Sequence, residues 1–200
     1  MTEAERLDTL RAGSNSRLIS DEAMRPIRDL TGAFGPNPLE NVVRALDLET
    51  IRLLQEADKL EVFEIKSRDR LILPSGDLME PPAKGTPKLE GYELIARGKT
   101  LGRESAREFA DAVLTGENFG GGMTRCTWHP VVVFRTWRGN EHLSLVVCFQ
   151  CTEARFSYLD AAEKPGREPP GFHPYGARST LLRLAKEALP DSPVLQGIAH

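Results

Sequence analysis

Two apolar stretches, residues 125–137 and 142–158, constrain this chain more than any other feature, because Arg138-Gly-Asn-Glu separates them. Gly139-Asn140 has the composition of a two-residue hairpin turn, whose central residues adopt positive φ. That turn makes the numbers of facing residues sum to 279. Side chains alternate faces along a strand, and directly opposed residues share a face. Trp128 is therefore expected opposite Cys151, Val131 opposite Cys148, and His129 opposite Gln150.

The same hairpin carries every cysteine of the chain. Cys126-Thr-Trp-His129 and Cys148-Phe-Gln-Cys151 have the ligand spacing of a structural zinc site, which gathers four ligands at about 2.0–2.3 Å. Cys126, His129, Cys148 and Cys151 are accordingly candidate metal ligands, with zinc as the alternative to having no cofactor. Strand alternation weighs against this set. An unbroken ladder puts Cys126 with Cys151 on one face and His129 with Cys148 on the other. Convergence requires a break, with C-F-Q-C curling and either Pro130, which cannot donate to a ladder, or a bulge turning His129 inward. Without the break the cysteines are small core fillers. A reversible Cys126–Cys151 bridge is a further alternative, although a C-x-x-C within a strand lacks the helix N-terminus that lowers thiol pKa in thioredoxin-type sites. Nucleophilic chemistry at Cys148 or Cys151 would draw on His129 or His142, but no elbow or helix start aims a sulfur. No catalytic residue is assigned, and no enzymatic activity is expected.

Elsewhere the spacing predicts helices first and sheet afterwards. Thr2 with Glu5 has capping-box spacing, Ser20 can cap a second helix, and Asn37-Pro38 opens a third through Leu46, restarting at Asp47. L-E-V-F-E-I-K (60–66) alternates as a half-buried strand; 70–73 and 92–96 read as further strands, with a Pro/Gly-rich loop over 74–90. Ala106, Phe109, Ala110, Val113 and Leu114 fall on one helical face, and Leu181 to Leu189 form another apolar face after a Ser179 cap. The glycines at 120–122 run from a helix into a strand, the wrong order for a phosphate loop. The order implies an α+β fold: an antiparallel sheet with a long C-terminal hairpin, helices packed on one face and a helical N-terminal segment. Residues 1–59 form that segment and 60–200 the α+β domain, expected as one compact unit.

Charge and hydropathy narrow the partners. A net charge of −3 supplies no basic face for nucleic acid. No apolar run approaches the length of a membrane span, and the charged start MTEAERLDTL lacks a secretory h-region. These features point to the cytoplasm and to reduced thiols. Arg125, Trp128, Arg135, Trp137 and Arg138 cluster on the hairpin, and Arg and Trp are favoured interface anchors. The chain is therefore expected to bind another protein, in competition with the reading that these arginines solvate a sheet whose tryptophans complete its packing.

Four segments carry a resemblance: G-Y-E-L-I-A from Gly91, C-x-x-H-P-V-V-V-F-R from Cys126, L-V-V-C-F-Q-C to Cys151, and L-L-x-L-A-K-E-A-L-P-D to Asp191. Together they resemble an uncharacterised group of bacterial proteins whose hairpin has a cysteine and proline near its start and C-F-x-C near its end. The resemblance covers about half the chain. It implies a small bacterial α+β domain and imports no activity; the expectation of an immunity or regulatory partner rests instead on the absence of catalytic spacing and on the Arg/Trp-rich hairpin.

Overall fold

The computed structural model describes residues 42, 46, 48–66, 85, 87–115, 118, 128–157 and 173–199. The expected helices after Thr2 and Ser20, most of the Asn37 helix, the 70–73 strand, most of the 74–90 loop and the 120–122 glycines lie outside these residues. Among those described, six strands form one antiparallel sheet: β1 (Lys59–Lys66), β2 (Lys88–Leu89), β3 (Tyr92–Arg97), β4 (Val132–Arg138), β5 (Glu141–Cys148) and β6 (Glu153–Ser157). Their order is β2-β3-β1-β4-β5-β6. The helices are α1 (Leu48–Gln55), α2 (Arg103–Val113), α3 (Arg178–Ala188) and the short α4 (Pro193–Gln196). The protein is an α+β fold, and no helix among the described residues is long and apolar enough to cross a membrane.

The hairpin register is the expected one, from Arg138↔Glu141 to Val132↔Val147. Gly139 takes φ 58°, as the turn requires. Two details differ. The single strand expected over 142–158 is two strands, because residues 149–152 turn the chain and Cys148↔Glu153 begins a second antiparallel ladder. Thr152 occupies the left-handed region at φ 49°, a position that glycine or asparagine usually marks. F-Q-C-T therefore carries no compositional sign of a turn. The second difference lies at Val131, whose N–H donates to Val147 O while its carbonyl accepts from Ile65 N. A regular strand residue points both groups to one neighbour, so Val131 and Val132 together oppose Val147 and form a bulge.

One sheet face packs on the helices. Leu60, Val62, Phe134, Leu145 and Phe156 join Ile51 and Leu54 of α1, Phe109 and Val113 of α2, and Leu181 and Leu184 of α3 in one buried cluster. Phe109 and Phe134 lie with ring centroids 5.1 Å apart. The α2 face is the predicted one. At α3 the expected Ser179 cap is corrected: the helix starts from Ala177, which is fully buried, with no side-chain cap. Helix α4 was not anticipated, although Ser192-Pro193 carries its start signal and Ser192 Oγ accepts from Leu195 N at 3.2 Å.

The opposite face, which carries no helix among the described residues and is called the helix-free face in that sense, has its own apolar centre, Phe63, Ile65, Val133 and Val146, against which Leu89, Tyr92, Leu94 and Trp128 pack. The bulge at Val131 and a register shift between Glu64 and Ile65 sit side by side. Bulges sharpen local twist, and here the sheet curls until its two ends meet. Trp128 Nε1 donates to Tyr92 Oη of β3 at 2.9 Å, while the Arg155 guanidinium of β6 lies 4.3 Å above the same indole.

Candidate functional site, the helix-free face of the sheet

Ladder register stacks the polar side chains of this face in rows. Lys59, Trp137 and His142 form one row, and Glu61, Arg135, Ser144 and Ser157 the next. Alternation dictates this arrangement, since Leu60, Val62, Phe134 and Leu145 point to the helices. Glu61 has a nearly buried carboxylate that accepts from Trp137 Nε1 at 2.8 Å and from Arg97 Nη2 at 2.5 Å. Lys59 Nζ lies 4.5 Å from the Trp137 ring centre, and the His142 ring lies 4.7 Å from that of Trp137. Desolvation against this row, reinforced by the Arg135 charge, holds the His142 imidazole below its usual pKa despite opposing contributions from Glu90 and Glu61.

The second row is closed from above. Glu90, in the β2–β3 turn, places its carboxylate 2.6 Å from Arg135 Nη2 and accepts a hydrogen bond from Ser157 Oγ. Its side chain is only 1% exposed and that of Arg135 16%. Arg135 Nε donates to Ser144 Oγ at 3.0 Å, and its guanidinium lies 5.6 Å from the Phe63 ring centre.

Of the residues expected to bind a partner, Trp128, Arg135 and Trp137 share this face. Arg138 is instead on the helix-covered side, where it bonds Glu49 at 2.9 Å, Glu56 at 3.2 Å and Glu141 at the turn. Those carboxylates, Glu141 foremost, raise its pKa further, and it ties α1 to the hairpin. Arg125 lies outside the described residues. Sequence spacing did not single out Glu61 or Glu90. For Glu61 the alternation of L-E-V-F-E-I-K held the signal, because it sets that carboxylate on the face away from Leu60. Glu90 had no local signal, since its partners are 45 and 67 residues away.

The candidate metal ligands divide. Cys148 is a buried free thiol, and Cys151 is disulfide-bonded. The expectation of reduced thiols is thus corrected at Cys151, which sits in the turn between β5 and β6 rather than inside a strand. The backbone N–H of Cys151 donates to Cys148 Sγ at 3.4 Å. His129 has a buried Nδ1 without a hydrogen-bond partner among the described residues. Cys126 lies outside them. Among the described residues no three His, Cys, Asp or Glu side chains gather as a metal site, and a sulfur in a disulfide offers no thiolate ligand.

Comparison with known protein families, curated proteins and solved structures finds no match. The fold and this face define a class only: a helix-backed, curled antiparallel sheet with an ordered polar and aromatic inner face.

Proposed function

We propose that this chain is a non-catalytic bacterial cytoplasmic protein that binds another protein, in an immunity-like or regulatory role, through the helix-free face. The observation that carries the reading is Trp137. Its N–H is anchored on Glu61, and Lys59 and His142 flank its ring. A tryptophan held in one orientation and still partly exposed has the character of an interface anchor, because little side-chain freedom remains to be lost on binding. The acidic balance of the chain favours a protein over nucleic acid as that partner. Cross-linked capture from the native host tests the reading, comparing wild type with Trp137→Ala and with the helix-side control Arg183→Ala. A protein retained by wild type and control but lost with Trp137→Ala is the expected result. Equal capture by all three sinks the proposal.

A second reading, as a thiol-redox protein, is favoured by the free Cys148 beside disulfide-bonded Cys151. The third cysteine, Cys126, is the proposed partner of Cys151. In the exchange step Cys148 loses its proton and its sulfur bonds to that of Cys151. The Cys151–Cys126 bond breaks, and Cys126 leaves as a thiolate that takes up a proton. Thiols and disulfides balance without an external oxidant. Zinc belongs to the reduced form of this reading, with Cys126, His129, Cys148 and Cys151 as ligands. Peptide mapping after rapid alkylation should find both Cys126–Cys151 and a Cys148-containing disulfide; one invariant pairing would eliminate exchange. Metal analysis of reduced protein with substoichiometric zinc would eliminate the metal.

A further inference from the structure

We infer that Arg135, Ser144 and Ser157 form a carboxylate-binding site, and that Glu90 fills it as an internal substitute for an acidic side chain of a partner. The inference rests on the helix-free face being a docking surface, and it names the chemistry of what docks there.

The site and its occupant belong to different parts of the fold. Arg135, Ser144 and Ser157 are consecutive rungs on β4, β5 and β6, paired as Arg135↔Ser144 and Ser144↔Ser157. The carboxylate arrives from the β2–β3 turn, at the other end of the strand order. Arg135 is oriented without Glu90, by Ser144 Oγ beneath its Nε and by the Phe63 ring under its guanidinium. An arginine fixed in this way presents its remaining N–H groups as a preformed fork for carboxylate.

The element that delivers Glu90 is short. Among the described residues strand β2 pairs with β3 through Lys88↔Glu93 and Leu89↔Tyr92, and Leu94 N donates to Pro87 O at 2.8 Å just before it. Glu90 and Gly91 both have positive φ, 51° and 79°, the pattern of a turn that prefers Asn or Asp at its first position. A glutamate there accepts an unfavourable backbone conformation, and what distinguishes it from asparagine is a carboxylate long enough to reach Arg135 and Ser157. When the turn lifts, the Arg135 fork faces outward with no anion. An acidic residue on a partner surface then meets the same donors that hold Glu90.

The test uses the full chain as wild type, Glu90→Ala, and Glu90→Ala combined with Arg135→Gln. Sodium acetate is titrated against sodium chloride at matched ionic strength, with tryptophan fluorescence and Tm as readouts. Acetate should bind Glu90→Ala about tenfold more tightly than wild type, the factor by which a site open a tenth of the time is weakened. It should raise the Tm of Glu90→Ala and do neither in the double variant. An end-blocked peptide with an internal glutamate should reproduce the effect, and its glutamine counterpart should not. Equal acetate responses in wild type and Glu90→Ala, or a response that survives loss of Arg135, would overturn the inference. If Glu90→Ala does not fold, Glu90→Gln, which keeps the turn and the Ser157 contact, replaces it and should still bind acetate more tightly than wild type; no difference overturns the inference equally. Failure of the acetate response removes this site alone. The docking reading is decided separately by Trp137→Ala capture, which leaves Arg135 and Glu90 untouched.

Discussion

Trp137 and Glu61 are diagonal neighbours on adjacent strands, one rung apart, and the indole N–H donates to the carboxylate at 2.8 Å. Glu61 is nearly buried, so this donor and Arg97 together replace the water it loses. Trp137→Phe keeps an aromatic ring against Lys59 and His142 but removes the donor. The expected cost is about 1.5 kcal/mol, the lower end for a hydrogen bond to a charged group, because Arg97 remains. A lower urea midpoint with an unchanged m-value checks it; an unchanged midpoint shows that the bond contributes little.

The Glu90–Arg135 pair should behave asymmetrically. Arg135→Met leaves a carboxylate that is 1% exposed without its cation, at an expected cost of about 3–5 kcal/mol. Glu90→Leu combined with Arg135→Met removes both charges and should recover much of that loss. A double-mutant cycle on the urea midpoints gives the coupling, and additive losses would contradict the pairing.

Stability should fall as the solution is acidified through the histidine range. His142 has a folded-state pKa below its ordinary 6.5, so between the two values the unfolded chain holds more protons. Stability therefore rises with pH across that window, and the penalty is complete below the folded value. His142→Phe keeps a ring on Trp137 and removes the titration. The difference in urea midpoint between wild type and His142→Phe should change between pH 7.5 and pH 5, with the variant less sensitive to acid. Parallel pH profiles would refute the assignment.

Gly98 follows β3, where it bonds Val62 O and where Lys99 N bonds Ala188 O at the end of α3. A Cβ at Gly98 would stand 2.7 Å from Ala188 O and 3.0 Å from its carbonyl carbon. Backbone atoms cannot step aside as a side-chain tip can. Gly98→Ala should destabilise by about 1–3 kcal/mol, the usual range for overpacking. Gly102→Ala, with open space at its Cβ, is the control, and similar Tm values for the two variants would contradict the steric account.

The hairpin was readable because its information is local. Gly139-Asn140 sets the turn, the turn sets the register, and alternation then assigns each side chain a face. The bulge at Val131 and the turn at residues 149–152 entered only as the break that a zinc site would require, since Val-Val and F-Q-C-T carry no glycine or asparagine to mark them. The bulge matters for Trp128, which packs with Phe63 and Val146, whereas unbroken alternation from Val132 would set it on the helix side. Of the candidate site, Trp128, Arg135 and Trp137 were named from residue type alone. Glu61 and Glu90 gained their roles through contacts between distant parts of the chain, which composition and spacing do not encode.

The curled sheet has one more consequence. Its order ends on β2 and β6, and the ends are bridged by side chains: Glu90 to Ser157, and Tyr92 through Trp128 to Arg155. Exposed edge strands invite pairing with strands of other molecules. Here the two ends engage one another without sharing a ladder, so an intruding strand must first break a buried ion pair and unseat a tryptophan. The polar contacts on the inner face therefore do for the two ends of the sheet, through side chains, what a shared ladder does in a closed barrel: they hold the ends to each other.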